Sequence, residues 1–214
     1  VPGNVAGWLT MQGRYGLLEP RNLFRQAIEY AELGSPVTFN NHRFIVNNAS
    51  RLLMHPQTSE IILREGTSPS PGARLRFPQL ASSLRLIADE GVGALYGGEL
   101  GRRFVQGSKD LGGLIAEEDL SEYEPEWLEP LKVSYRGFEV LTTPPNSTGF
   151  QILETLKLLE QFDLTATSPN QPDAVHRFIE AIKLAVADRI PYGGDPATVH
   201  APLDQLLSDE YAAN

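Results

Sequence analysis

EAIKLAVADRIPYGGDP, Glu180 to Pro196, runs from a helix rich in small residues into a glycine turn. Ala181, Ala185 and Ala187 permit close helix packing, and Gly193-Gly194-Asp195-Pro196 supplies the residue types that tight turns use. Upstream, Asp173 is the expected cap, and Val175, Phe178, Ile182, Ala185 and Val186 recur at helical spacing. The pattern predicts one long helix with those residues inward. Asp188 and Arg189 break it near the C-terminal end, where Asp188 can pair with an arginine and Arg189 can reach the last carbonyls. On pattern alone the stretch is structural.

Working back from it, PPNSTG (Pro144 to Gly149) is a turn leading into a helix with Ile152, Leu153, Leu156, Leu159 and Phe162 on its expected buried side. Before the turn the period changes. Leu131, Val133 and Tyr135 alternate, Arg136-Gly137 offers a two-residue turn, and Phe138, Val140 and Thr142 alternate again, which predicts a β-hairpin. Everything earlier reads as helix. Pro20 to Leu33 places Leu23, Phe24, Ala27, Ile28 and Ala31 on one face, between a proline suited to the first turn and Gly34. A second helix is expected from the cap Thr38 to the stop at Pro56, with Phe39, Ile45, Val46, Ala49, Leu52 and Leu53 inward. Pro78 opens another, with Leu80, Leu84, Ile87 and Ala88 inward and Gly91 at its end. TSPSPG, Thr67 to Gly72, is the most linker-like segment.

The chain of 214 residues has room for one or two domains. A net charge of -9 opposes phosphate backbones and anionic lipid, which argues against nucleic acid and membrane surfaces as partners. With no cysteine, disulfides, thiolate metal sites and cysteine nucleophiles are excluded. No apolar run approaches the roughly 20 residues of a membrane span. Val1-Pro2-Gly3-Asn4 reads as a processed or excised start. Ser208, followed by Asp209 and Glu210, reads as a helix cap, and a helix ending at Asn214 is too short to stand alone, so continuation in a parent protein is expected.

Each chemical motif has a plain structural reading. His42, His55, His176 and His200 form no metal-ligand spacing and are expected on the surface or at caps. Gly91, Gly93 and Gly97 loosely resemble a phosphate loop but close a helix instead of following a strand. Ser147 lacks the glycine two residues earlier that a nucleophile elbow needs, so a turn and helix-cap role is expected. The acids Glu117, Glu118, Asp119, Glu122, Glu124, Glu126 and Glu129 read as a solvated face. Asn48 and Asn146 match the glycosylation pattern, which arises often by chance.

The opening run is similar to the large-subunit region of γ-glutamyltransferases (γ-glutamyltranspeptidases), which reads Glu-Ala, a basic residue, Leu-Ala-Tyr-Ala-Asp-Arg, then Tyr-x-Gly-Asp-Pro. This chain has Glu180-Ala181-x-Lys183-Leu184-Ala185-Val186-Ala187-Asp188-Arg189, then Tyr192-Gly193-Gly194-Asp195-Pro196. The resemblance continues in order through Val1-Pro2-Gly3 with Ala6-Gly7, Gly112-Gly113-Leu114-Ile115, Glu118-Asp119-Leu120, Tyr135-Arg136-Gly137, Pro144-Pro145 and Leu206-Leu207-Ser208-x-Glu210-Tyr211-Ala212. It covers effectively the whole chain. Two departures, Asn146-Ser147-Thr148-Gly149-Phe150 for Pro-Ser-Ser-Gly-Gly and Val186 for a tyrosine, leave hydrolase, transferase, poly-γ-glutamate-processing and cephalosporin-acylase relatives all open.

The resemblance implies an α+β fold, mainly helical with a small antiparallel hairpin, belonging to the αββα sandwich of an N-terminal-nucleophile hydrolase. It makes residues 1–214 a single segment, with a possible sub-boundary near 67–72. Such enzymes cut their own precursor to free a threonine, which attacks with its hydroxyl while its α-amine serves as base. That threonine, the oxyanion residues and the arginine that binds substrate match no position here. The resemblance therefore implies no catalytic, cofactor-binding or metal residue in this chain, and no cofactor. Thr142-Thr143, followed by Pro144, is a decoy. The expected partners are the rest of the precursor and a small γ-glutamyl substrate; the resemblance is compatible with a periplasmic or secreted setting and leaves a cytoplasmic one open. The competing reading is a non-catalytic helical interaction module on the same scaffold.

Overall fold

Proline opens a helix and glycine closes one repeatedly in this chain, because a proline in the first turn gives up no needed N–H and glycine tolerates the left-handed backbone beyond the last turn. The computed structural model describes residues 2–164, 168 and 170–214. Two compact units, Val1–Pro125 and Glu126–Asn214, divide it.

The first unit is built from helices α1 (Asn4–Tyr15), α2 (Pro20–Leu33), α3 (Phe39–Asn47), α4 (Ala49–Leu53), α5 (Pro56–Ile62), α6 (Pro78–Glu90), α7 (Glu99–Asp110) and α8 (Glu117–Ser121). A 3-10 turn, Gly91–Ala94, joins α6 to α7. Phe24, Ile87, Ala88 and Ala94 form the core, with Val5, Leu9, Ile28 and Leu84 packed on it, so α2 and α6 are its principal pair. Two short strands, β1 (Ser35–Pro36) and β2 (Arg74–Leu75), pair antiparallel. Gly34 enters β1 at φ 86, and a Cβ there would meet Arg74, Leu75 and Arg76, so the close pass needs glycine. The TSPSPG segment lies within this unit, held by Gly72 N–H donating to Val37 O and Val37 N–H donating to Ala73 O, both at 2.8 Å.

Two expectations change here. The helix expected from Thr38 to Pro56 is broken at Asn48, whose side-chain amide donates to Phe44 O at 2.8 Å and competes with the helical ladder. Thr38 does cap its start, accepting from Asn41 N–H at 3.1 Å. The inward faces are also narrower than periodicity implied, since Leu23, Ala27, Phe39, Val46, Leu53 and Leu80 are exposed in this chain. On α2 and α6, which pack on each other, the buried residues are Phe24 and Ala31 on the first and Ala81, Ile87 and Ala88 on the second.

The second unit begins with the expected hairpin, β3 (Leu131–Tyr135) and β4 (Phe138–Thr142), in register from Leu131↔Thr142 to Tyr135↔Phe138. Arg136 (φ 49) and Gly137 (φ 83) both take positive φ, the backbone that matches a two-residue turn to strand twist. Helix α9 (Gly149–Glu160) packs between the hairpin and α10 (Pro172–Tyr192), and α11 (Leu203–Leu206) and α12 (Asp209–Ala213) follow. At the start of α9, a Cβ on Gly149 would meet the Thr142 side chain and the Thr143 carbonyl, so the helix abuts the end of β4 through glycine.

The buried side of α9 differs from the expected one. Phe150, Leu153, Glu154, Lys157 and Leu159 are buried, whereas Ile152 and Phe162 are 60% and 41% exposed. Phe150, Leu153, Glu154 and Lys157 are spaced as one helical stripe, and the two charged members made it invisible to a search for apolar residues. On α10 only Ala181 and Ala185 are buried, while Val175 and Phe178 stay half exposed. Small side chains make the contact, and the bulky ones flank it. The helix caps on Gln171 instead of Asp173 and runs on through Pro191 to Gly193.

Candidate functional site

A long α9 brings charged residues inside the second unit, and their partners come from α10 and α12. Glu154 is 1% exposed, and no hydrogen-bond donor meets either of its carboxyl oxygens among the described residues. Burial first, then the Asp188 carboxyl of α10, push Glu154 from 4.5 up to about 8, because a carboxyl out of water and near another acid favours its protonated form. Asp188 in turn accepts from the Tyr211 hydroxyl of α12 at 2.7 Å. That bond, followed by burial, raises Tyr211 to about 12.

One turn along α9, Lys157 is also buried, donating to Glu160 Oε2 at 2.9 Å and forming an ion pair with Asp209 at the start of α12. Burial pulls its ammonium down, but hydrogen bonds to Asp209 and Glu160 outweigh that and leave it raised. Glu160 also accepts Arg136 N–H at 2.6 Å, and this bond, with Lys157 second, lowers its carboxyl. Arg136 further donates from its guanidinium to Phe162 O at 2.9 Å. Two charged clusters therefore tie α12, α10 and the hairpin turn to α9.

The opening motif behaves differently from expectation at both odd residues. Asp188 partners a tyrosine and a carboxyl instead of an arginine, because those are the groups that α9 and α12 present to it. Arg189 has its Nε buried with no acceptor among the described residues, while its carbonyl accepts Gly193 N–H at 2.7 Å to close the helix. Asp195 makes the expected local turn, accepting Ala197 N–H at 2.9 Å.

The remaining motifs fall into structural places. Ser147 accepts Gly149 N–H at 3.3 Å in the turn before α9, the turn role expected of it, whereas the cap position of that helix is Thr148. Thr142 packs beside Gly149, and Thr143 is exposed. Gly91 and Gly97, with φ 70 and 109, lie in turns between helices and not after a strand. The acids from Glu117 to Glu129 are all exposed, and Asp119 accepts Ala116 N–H at 2.8 Å to cap α8. Val1, part of the Val-Pro-Gly resemblance, lies outside the described residues. His55, His176 and His200 are exposed. His42 faces Ser68 Oγ at 3.1 Å, a pairing that superficially suggests a nucleophile and base. Its Nδ1 also lies 2.9 Å from Pro69 O, which can only accept, so Nδ1 carries the hydrogen and has no lone pair for the Ser68 proton. Among the described residues no group of three or more His, Cys, Asp or Glu is placed to hold a metal. No described helix is long and apolar enough to cross a membrane.

The profile of the family described as gamma-glutamyltranspeptidase matches residues 1–214. The chain is 41% identical to the acylase ACY 1 proenzyme of Pseudomonas sp. (strain V22), over 99% of this chain and 38% of that protein. It is 36% identical to the glutathione hydrolase-like YwrD proenzyme of Bacillus subtilis, over 99% of this chain and 40% of that protein. Its fold superposes on the crystal structure of Helicobacter pylori gamma-glutamyltranspeptidase with a TM-score of 0.92 at 29% identity, covering 99% of this chain and 61% of that one. The chain thus spans about two fifths of the length of the curated relatives it matches.

Proposed function

The chain belongs to the gamma-glutamyltranspeptidase family, and from that premise we propose that it serves as a structural segment of a larger acyl-transferring enzyme whose nucleophile lies outside residues 1–214. The whole polypeptide takes a γ-glutamyl group from glutathione or another γ-glutamyl amide. A threonine hydroxyl adds to the amide carbonyl, its proton passes through the freed α-amine to the departing amine, and the C–N bond breaks to leave an ester. Water or an acceptor amine then attacks the ester and restores the hydroxyl. Backbone donors facing the tetrahedral oxygen stabilise both steps. The partners on this reading are the remainder of the same precursor and a small γ-glutamyl substrate.

The observation that carries the reading is the match to proenzymes across 99% of this chain and only 38% to 40% of theirs. The side chains support it from the other direction, since the buried polar groups of the second unit serve α12 and the hairpin turn. The test offers a γ-glutamyl anilide to the 214-residue chain and to its Thr143→Ala variant. Neither is expected to release the free aniline above background. Release by the 214-residue chain, whether or not it survives the substitution, would overturn the account of this chain as lacking its nucleophile.

A second reading has a specific observation behind it. Identity is 41% to an acylase and 33% to a cephalosporin acylase of Bacillus halodurans whose fold superposes with a TM-score of 0.92, so an acylated cephalosporin is the alternative donor. The two separate by assaying the full-length polypeptide on a γ-glutamyl anilide and on an acylated cephalosporin side by side.

A further inference from the structure

Helix α1 begins without the side chain that usually caps one. Gly3 stands at its cap position and makes no side-chain hydrogen bond, although Ser, Thr, Asp or Asn is favoured there. The N–H groups of a first turn have no partners inside their own helix. One of them is met from far along the chain, since Ala6 N–H, three residues after the cap, donates to the Tyr96 hydroxyl at 3.3 Å. The same hydroxyl donates to Pro2 O at 2.5 Å. Burial outweighs the opposing Ala6 N–H and raises the phenol above its ordinary 10.0, so Tyr96 keeps its proton and can make both bonds.

A second tyrosine completes the enclosure. Tyr123 follows α8 and stacks on Tyr96, with ring centroids 5.5 Å apart. A Cβ on Gly3 would overlap the Tyr123 hydroxyl and the ring carbon that bears it, so a side-chain cap is shut out of this position. Each ring is placed by its own element. Tyr96 N–H donates to Val92 O at 3.1 Å just past the 3-10 turn, and Tyr123 N–H donates to Leu120 O at 3.2 Å. Leu120 is buried, at the place where a Cβ on Gly101 of α7 would touch it.

We propose that Tyr96 and Tyr123 form a clasp on Pro2-Gly3, in which the Tyr96 hydroxyl caps α1 from another element and Tyr123 keeps the cap position glycine. Helix α1 is thus fastened at its entry to the turn before α7 and to the end of α8. Its first turn depends on a residue 90 positions after Ala6 and loosens when either ring is lost. Glycine is needed at position 3 for clearance and not for backbone freedom, since its φ of -96 is open to any residue. Every group of the clasp lies in the first unit, so it stands whether or not the acyl-transfer reading holds.

Cap preference and the clasp predict opposite outcomes at Gly3. Hydrogen exchange of residues 4–9 is followed by mass spectrometry in the full-length polypeptide and its variants. Tyr96→Phe keeps the ring and removes both hydrogen bonds, and exchange there is expected to rise about three- to tenfold, as for a lost cap. Gly3→Ser, which cap preference alone makes stabilising, is expected to raise exchange as well. In Tyr123→Ala, where no ring fills the space, adding Gly3→Ser is expected to slow exchange relative to Tyr123→Ala alone. Residues 78–90, helix α6, are expected to keep wild-type exchange in Tyr96→Phe, because the loosening is local. Unchanged exchange in Tyr96→Phe, slower exchange in Gly3→Ser alone, or a Gly3→Ser effect that is the same with and without the Tyr123 ring would each overturn the clasp. So would exchange of α6 that rises together with that of α1 in Tyr96→Phe.

Discussion

The hydroxyl of Tyr211 donates to Asp188 at 2.7 Å, joining the last short helix to the Asp-Arg pair of the motif that gives this chain its family. Asp188, which pattern reading pairs with an arginine, thus has a tyrosine as its polar partner 23 positions away. Removing the hydroxyl by Tyr211→Phe is expected to cost about 1.5 to 3 kcal/mol, the range for a hydrogen bond to a charged acceptor. Denaturant melts of the two proteins at pH 6 measure it, and a difference below about 0.5 kcal/mol contradicts the assigned bond.

Glu154 makes folding stability depend on pH. Its folded value, about 8, lies above its ordinary 4.5, so its contribution is fully present below 4.5 and is lost as pH rises through the folded value. The folded protein holds one more proton than the unfolded one across that window, and stability falls there by about 1.4 kcal/mol per pH unit. Glu154→Gln is expected to flatten that part of the profile and to be more stable than wild type at pH 8. Urea melts at several pH values read both.

Lys157 is buried between Glu160 and Asp209. Lys157→Ala leaves both carboxylates without their cation, though Asp209 is largely exposed and Glu160 keeps Arg136 N–H. The expected loss is therefore roughly 2 kcal/mol, below the full range for breaking a buried pair. Glu160 is held low by Arg136 N–H and by Lys157, so its stabilisation is present above 4.5 and is lost as pH falls through the lowered value. Comparing melts of wild type and Lys157→Ala at pH 7 and pH 3 tests this, with the difference expected to shrink at the lower pH.

Gly149→Ala places a methyl group against the Thr142 side chain and the Thr143 carbonyl where α9 meets β4. The carbonyl cannot rotate away, so a loss of about 1 to 3 kcal/mol is expected. A substitution at Gly107, where a Cβ meets nothing, is the control.

The hairpin was legible residue by residue, because alternation and a two-residue turn with glycine have few other solutions. Helix ends marked by Pro20, Gly34, Pro78 and Gly91 were legible for the same local reason. Inward faces were not, since burial depends on which helix lies opposite: Leu23 and Ile152 satisfy helical periodicity yet are 47% and 60% exposed among the described residues. Glu154 and Lys157 escaped notice because charged side chains are read as exposed by default. The available signal was their phase, four and seven residues after Phe150 and so in line with it and Leu153. The Ser208 cap of α12, accepting Tyr211 N–H at 3.1 Å, was visible in sequence, whereas the partner of the Tyr211 hydroxyl was not.

Whether the reacting residue lies outside this segment is the central question, and covalent labelling answers it most directly. The full-length polypeptide is treated with an electrophilic γ-glutamyl analogue, digested, and the adduct is located by mass spectrometry. The account predicts one adduct, on a threonine outside residues 1–214, and none within them. An adduct on Thr142, Thr143 or Ser147 that abolishes turnover would contradict it.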